Sequence, residues 1–134
     1  MTRYDVAYGY TRELRGASFE QAIERATAAL KDEGFGVLTT IDVKDTLKKK
    51  LGEDFRRYVI LGACNPRLAH RALGAELGIG LLLPCNVTGF EGEEGQPVVQ
   101  ILKPQSMFEV VRKPGLEALV AEADQRLRRA LEKM

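Results

Sequence analysis

The chain opens on alternation. Tyr4, Val6, Tyr8 and Tyr10 are interleaved with Arg3, Asp5, Ala7 and Gly9, the two-residue period of a strand with one apolar face, which predicts a first strand near residues 3–12. The period then changes. Ser18-Phe19-Glu20-Gln21 has the S-x-x-Q form of a capping box, and Phe19, Ala22, Ile23, Ala26 and Leu30 recur at helical spacing, so an amphipathic helix should run from here to Gly34. Residues 35–41 (FGVLTTI) predict a second strand. Asp42 is placed to cap a short helix that turns Val43, Leu47 and Leu51 inward and ends in Lys48, Lys49 and Lys50, where positive charge offsets free carbonyls.

Residues 57–63 predict a third strand, ending at Cys64. Asn65-Pro66 is a helix start, because asparagine can cap and proline is tolerated where no N–H is needed; the helix carries Leu68, Ala69, Ala72 and Leu73 to Gly74. Residues 79–90 predict a fourth strand, Glu91-Gly92-Glu93-Glu94-Gly95 a hairpin turn, and residues 97–103 a fifth strand. Residues 104–111 read as an extension along the sheet edge. Pro114-Gly115 precede a last helix with Leu116, Leu119, Val120, Ala123, Leu127 and Leu131 on its inner face. The fold class is α+β: about five strands in one sheet, two long helices on one face and two short inserted helices, in a single domain over residues 1–134.

Composition narrows the partners. Twenty basic and 19 acidic residues leave a net charge of +1, with no general attraction to nucleic acid or membrane. Apolar runs such as residues 79–83 are far too short to span a bilayer, and the first residues have no secretory pattern, so a cytoplasmic location is expected. Two cysteines are then reduced thiols, too few for a Cys-only zinc site. Lys48, Lys49 and Lys50, with Arg56 and Arg57, read as a solvated helix end in preference to an anion site.

Residues 62–87, GACNPRLAHRALGAELGIGLLLPCNV, hold both cysteines, the single histidine and two Cys-Asn pairs. The candidate site is therefore Cys64, Asn65, His70, Cys85 and Asn86. Cys64 precedes a helix cap, and free amides and the helix dipole at such a place favour a thiolate; the competing reading is a small buried residue at a strand end. Cys85, with Leu81, Leu83 and Val87 on its face, reads as core, and antiparallel pairing around the intervening helix should set it well back from Cys64. His70 lies on the flank of the short helix. It has no second histidine or Cys-x-x-Cys to complete a metal set, and spacing alone does not bring it to Cys64 as a base, so no metal is expected, and the sequence leaves any cofactor unknown. Gly74, Gly78 and Gly80 lack the strand-to-helix setting of a phosphate-binding loop.

Residues 41–87, IDVKDTLKKKLGEDFRRYVILGACNPRLAHRALGAELGIGLLLPCNV, closely resemble the core of the bacterial and archaeal domain of unknown function 302 family, and the likeness extends over nearly the whole chain. The most distinctive parts are Gly62-Ala63-Cys64-Asn65-Pro66, Leu68 to Leu73 and Leu83-Pro84-Cys85-Asn86-Val87. Glu76-Leu77 departs from the family's Glu-Pro and touches a turn more than a site. The resemblance implies a TATA-binding-protein-like fold, a curved antiparallel sheet with helices on one side in the order β-α-β-β-β-β-α, and a homodimer. It implies no activity, and the fold name does not carry DNA binding with it.

These readings converge on a homodimeric binding protein that holds a small molecule or a protein partner against the sheet or at the corner of Cys64 and His70. The alternative is a thiol-dependent redox or sulfur-transfer protein using Cys64. Nucleic-acid binding on the sheet is a third, disfavoured reading. The dimer is expected to use an open sheet face or edge, with the first strand and the fourth or fifth contributing and with Tyr8 and Tyr10 in the contact.

Overall fold

The computed structural model describes residues 2–134. One antiparallel sheet is built from β1 (Gly9–Glu13), β2 (Gly36–Asp42), β3 (Tyr58–Cys64), β4 (Cys85–Glu91) and β5 (Pro97–Leu102) in the order β1-β5-β4-β3-β2. Between and after the strands lie α1 (Phe19–Asp32), α2 (Val43–Leu51), α3 (Pro66–Ala75), a 3-10 helix (Leu77–Leu82), α4 (Pro104–Val111) and α5 (Glu117–Lys133). The α+β class, the five strands and the two long helices agree with the sequence pattern.

Local chemistry accounts for the helix boundaries. Ser18 and Gln21 exchange both bonds of the capping box at the start of α1; Asp42 accepts from the Asp45 amide and Asn65 from the Leu68 amide to begin α2 and α3. Four expectations fail. Residues 79–82 belong to the 3-10 helix and β4 begins only at Cys85, after a cis Leu83–Pro84 peptide. Residues 104–111 form α4 and do not extend the sheet. Leu51 points outward and is 67% exposed, so α2 buries no residue. The first strand starts at Gly9, because residues 2–8 leave the sheet and cross its open face.

One face is covered by helices. Leu61 and Ala63 of β3, Val87 of β4 and Val99 and Ile101 of β5 share a core with Ala22, Ala26, Leu30 and Leu127 of α1 and α5. Gly89 lets α1 come close, since a Cβ there would stand 2.5 Å from Ile23 Cδ1. On the other face Tyr4 meets Phe90 edge-on at 5.3 Å between ring centroids, and Phe90 stacks on Tyr58 at 5.3 Å. The Tyr4 carbonyl accepts from Gln100 Nε2 at 2.7 Å and its hydroxyl from the Glu93 amide at 2.8 Å, which pins residues 2–8 over β4 and β5.

Tyr10 lies on the helix side, away from Tyr4. Its hydroxyl donates to Asp124 Oδ1 at 2.5 Å and accepts from Arg128 Nε at 3.0 Å, and burial raises its pKa, with the Asp124 bond adding to the effect. At the other end of α5, buried Glu33 beside the end of α1 pairs with Arg129 at 3.0 Å and Lys133 at 2.6 Å.

The Lys133 hydrogen bond, followed by the Arg129 contacts, holds the Glu33 carboxyl below its ordinary value of 4.5 against the opposing cost of burial. A lowered carboxylate pKa stabilises the fold above that value, and the contribution disappears as pH falls through the folded one. Because Arg129 and Lys133 are nearly half exposed and regain water when unpaired, Glu33→Gln should cost about 1–2 kcal/mol at neutral pH. Urea unfolding at several pH values checks this: the gap between wild type and variant should shrink steadily below pH 4.5.

Candidate functional site

At the end of the sheet where β3 stops and β4 starts, the chain builds a cavity of about 60 Å³. Ala63, Cys64 and Cys85 supply the sheet side; Leu68, Ala69 and Ala72 of α3, Met107, Phe108 and Val111 of α4, and Leu119, Val120 and Ala123 of α5 close it. The void follows from side-chain size. Four of these positions are alanine, and the larger neighbours are held apart by the backbones of three helices that meet over one strand end. The wall is almost wholly apolar: no charged residue lines it, and Asn65 is the single amide side chain.

Asn65 is 91% removed from solvent, from its 9% exposure, and its Oδ1 accepts from the Leu68 amide at 3.2 Å. It therefore starts α3 and also sets the wall that α3 forms. Ala63 stands directly opposite Cys85 in the β3–β4 ladder, so Cys64 and Cys85 are near neighbours at the cavity. This corrects the expectation that Cys85 pairs well back from Cys64. The residues assigned to the beginning of a strand are coiled into the 3-10 helix, and that shortening brings Cys85 to the strand end.

Both cysteines are free. Burial first, and the neighbouring Cys64 second, push the Cys85 thiol up to about 11. It stays protonated at neutral pH and behaves as a small apolar residue. Asn86 is exposed, and its register partner is Gly62, so it stands on the opposite side of the sheet from Cys85. His70 is exposed on α3 and does not line the cavity. Of the five candidate residues, the structure thus gathers Cys64, Asn65 and Cys85 in one wall and leaves His70 and Asn86 outside it. Among the described residues no group of three or more His, Cys, Asp or Glu side chains could hold a metal ion, and none of the helices is long and apolar enough to cross a membrane.

The α4 and α5 walls were missed in the sequence as site residues. Their signal was present: Pro104 suits a first helical position, and Met107, Phe108 and Val111 recur at helical spacing.

A family model for the Domain of unknown function DUF302 matches residues 10–134. The fold is similar to the crystal structure of the uncharacterized conserved protein DUF302 from Bacillus stearothermophilus, with 32% identity, a TM-score of 0.87 and coverage of 96% of this chain and 98% of that one. No curated protein matches the chain.

Because its thiol is neutral in the fold up to about pH 11 but ionises near 9.0 once unfolded, Cys85 contributes stability that is intact below 9.0 and declines as pH rises toward 11. The whole effect amounts to about 2–3 kcal/mol. Chemical denaturation of wild type and Cys85→Ala from pH 8.5 upward should reveal a steeper alkaline loss in the wild type; parallel curves would contradict the assignment.

Proposed function

We propose, for a chain that belongs to the DUF302 family, the role of a small cytoplasmic homodimeric protein that binds a small apolar molecule in the cavity beside Cys64 and Cys85. One observation carries this reading: a void walled by three helices and two strand ends contains no charged group and only one amide side chain, itself engaged in capping. Such a site selects uncharged, hydrocarbon-rich ligands, since a charged group would lose its water without gaining a partner.

The cavity's 60 Å³ is well under the ~150 Å³ that admits benzene in a protein core. A ligand of that size therefore enters by displacing a wall, and α4 is the wall that yields. It packs chiefly on α5, not on the sheet. It is followed by Arg112 in the left-handed conformation, at φ 51°, and then by Gly115, at φ 96°, both turning points of the backbone.

Cys64 keeps the second reading in play, because it lines the same cavity beside the start of α3. In that reading Cys64 performs redox or sulfur-transfer chemistry on the bound molecule. Alkylation of Cys64 in a Cys85→Ala background, followed against pH, separates the two: a thiol far more reactive at pH 6 than a free cysteine favours transfer chemistry.

The binding reading is tested by titrating straight-chain alcohols of increasing length into isotope-labelled protein. Shifts should concentrate at residues 64, 72, 85, 107–111 and 119–123. Affinity should rise about fourfold per methylene until the site is filled, the ratio that corresponds to about 0.8 kcal/mol per buried CH₂. Ala72→Val and Ala123→Val, tested singly, narrow the void and should weaken the shifts, at a stability cost of no more than about 1–3 kcal/mol. Shifts scattered over the surface, or no dependence on chain length, would sink the proposal.

A further inference from the structure

The Asn65 side chain has two polar ends, and capping α3 uses one of them. Its Oδ1 accepts from the Leu68 amide at 3.2 Å, a bond that fixes which end is oxygen and turns Nδ2 the other way. Nδ2 donates to no group among the described residues, although Asn65 as a whole is only 9% exposed. A buried amide without an acceptor is uncommon. Among the described residues no wholly enclosed side-chain nitrogen or oxygen lacks a partner, so Nδ2 reaches an opening. That opening is a groove of about 340 Å³ lined by Gly34, Asn65, Pro66, Arg67, Glu122 and Arg126, which shares only Asn65 with the apolar cavity.

Gly34 keeps the space before Nδ2 free. It follows α1 at φ 85°, and a Cβ there would stand 2.8 Å from Nδ2 and 4.0 Å from Arg126 Nη1, so both donors border one point. The start of α3 adds a third. Pro66 has no N–H, the Leu68 amide goes to Asn65 Oδ1 and the Ala69 amide to the Asn65 carbonyl at 2.9 Å, which leaves the Arg67 amide free in this turn. The Arg67 side chain is exposed at the groove and enters no ion pair or hydrogen bond among the described residues.

Positive charge exceeds negative at this corner. Arg126 meets Glu122 through Nε at 3.1 Å and donates from Nη1 to the Glu33 carbonyl at 3.3 Å, while Arg71 reaches Glu122 at 3.4 Å. The Glu33 carboxylate is taken up by Arg129 and Lys133. Five cations thus stand against two carboxylates, in a chain whose net charge is only +1.

We propose that this groove binds a phosphate group, as the free ion or as a monoester. Four donors, the Asn65 amide, the Arg67 backbone N–H and the guanidinium groups of Arg67 and Arg126, outnumber the two oxygens of a carboxylate and suit the three free oxygens of a phosphoryl group. The positive end of the α3 dipole points at the same place, and a doubly charged anion answers the local surplus of positive charge. The site depends neither on a ligand in the apolar cavity nor on a second copy of the chain.

Titration of inorganic phosphate into isotope-labelled protein at fixed ionic strength tests the proposal. The Asn65 side-chain amide, the Arg67 backbone amide and the Arg126 Nε–H should shift together along one saturable curve. Asn65→Asp keeps the capping oxygen and so the start of α3, but sets an acceptor where the donor was. It should bind at least about tenfold more weakly. Arg67→Gln loses no partner within the protein, so its thermal midpoint should not move while phosphate affinity falls about fivefold; it decides the matter even if the first variant is destabilised. Lys49→Gln, at the far end of α2, should change nothing. Methyl phosphate on the same signals assigns the monoester if it binds as well as the ion, and the free ion if it does not. A curve that fails to saturate, one that Asn65→Asp and Arg67→Gln leave unchanged, or equal weakening by Lys49→Gln overturns the site. Acetate that matches phosphate on these signals overturns the choice of ligand.

Discussion

Two buried carboxylates hold α5 in place, and much of the molecule's architecture depends on where α5 lies. Asp124 takes the Tyr10 hydroxyl from the edge strand β1, and Glu33 takes Arg129 and Lys133 from α5 itself. A carboxylate removed from water is tolerated only where donors replace its hydration, so each contact has a strict geometry. Together they set α5 along the sheet and against α1. The opposite side of α5 then faces α3 and α4, and the space left among these three helices is the cavity. Aliphatic contacts supply most of the driving force, but they are non-directional and would accept small shifts that the ionic contacts do not.

The parts of the fold that were legible in the sequence are those with local chemistry. Ser18 with Gln21, Asp42, and Asn65 followed by Pro66 each satisfy backbone groups within a few residues, so their helix starts can be read without tertiary information. The misread parts are those decided at a distance. Leu81, Leu82 and Leu83 form an apolar run that a strand would also show, and periodicity does not separate the two for so short a segment. In the structure Leu81 is 92% exposed while Ile79 and Leu83 pack with Ala72 and Leu116. Residues 3–10 alternate as a strand does, yet only Gly9 and Tyr10 join one, because Tyr4 finds Phe90 and Gln100 on the open face.

The candidate site shows the same division. Asn65 as a cap and the neighbourhood of Cys64 were readable from spacing, and the position of Cys85 was not, since it depends on how much chain the 3-10 helix consumes. His70 drew attention as the single histidine, but its place on α3 directs it to solvent. The walls from α4 and α5 come from residues about 20 to 60 positions away in sequence from the two cysteines. Their apolar stripes look like any core, and nothing local marks which stripe will meet a void.

The division between sheet and α4 has an evolutionary consequence. The face of the cavity formed by α4 is encoded in one short contiguous stretch, residues 104–111, with turning points behind it at Arg112 and Gly115 and no strand of its own to maintain. Mutations, insertions and exchanges in that stretch alter the shape of the void while the ladder pairing and the α1–α5 layer stay intact. Descendants of one ancestral scaffold can therefore diversify in what they accept by drift in a single module, with the cost to foldability confined to that module.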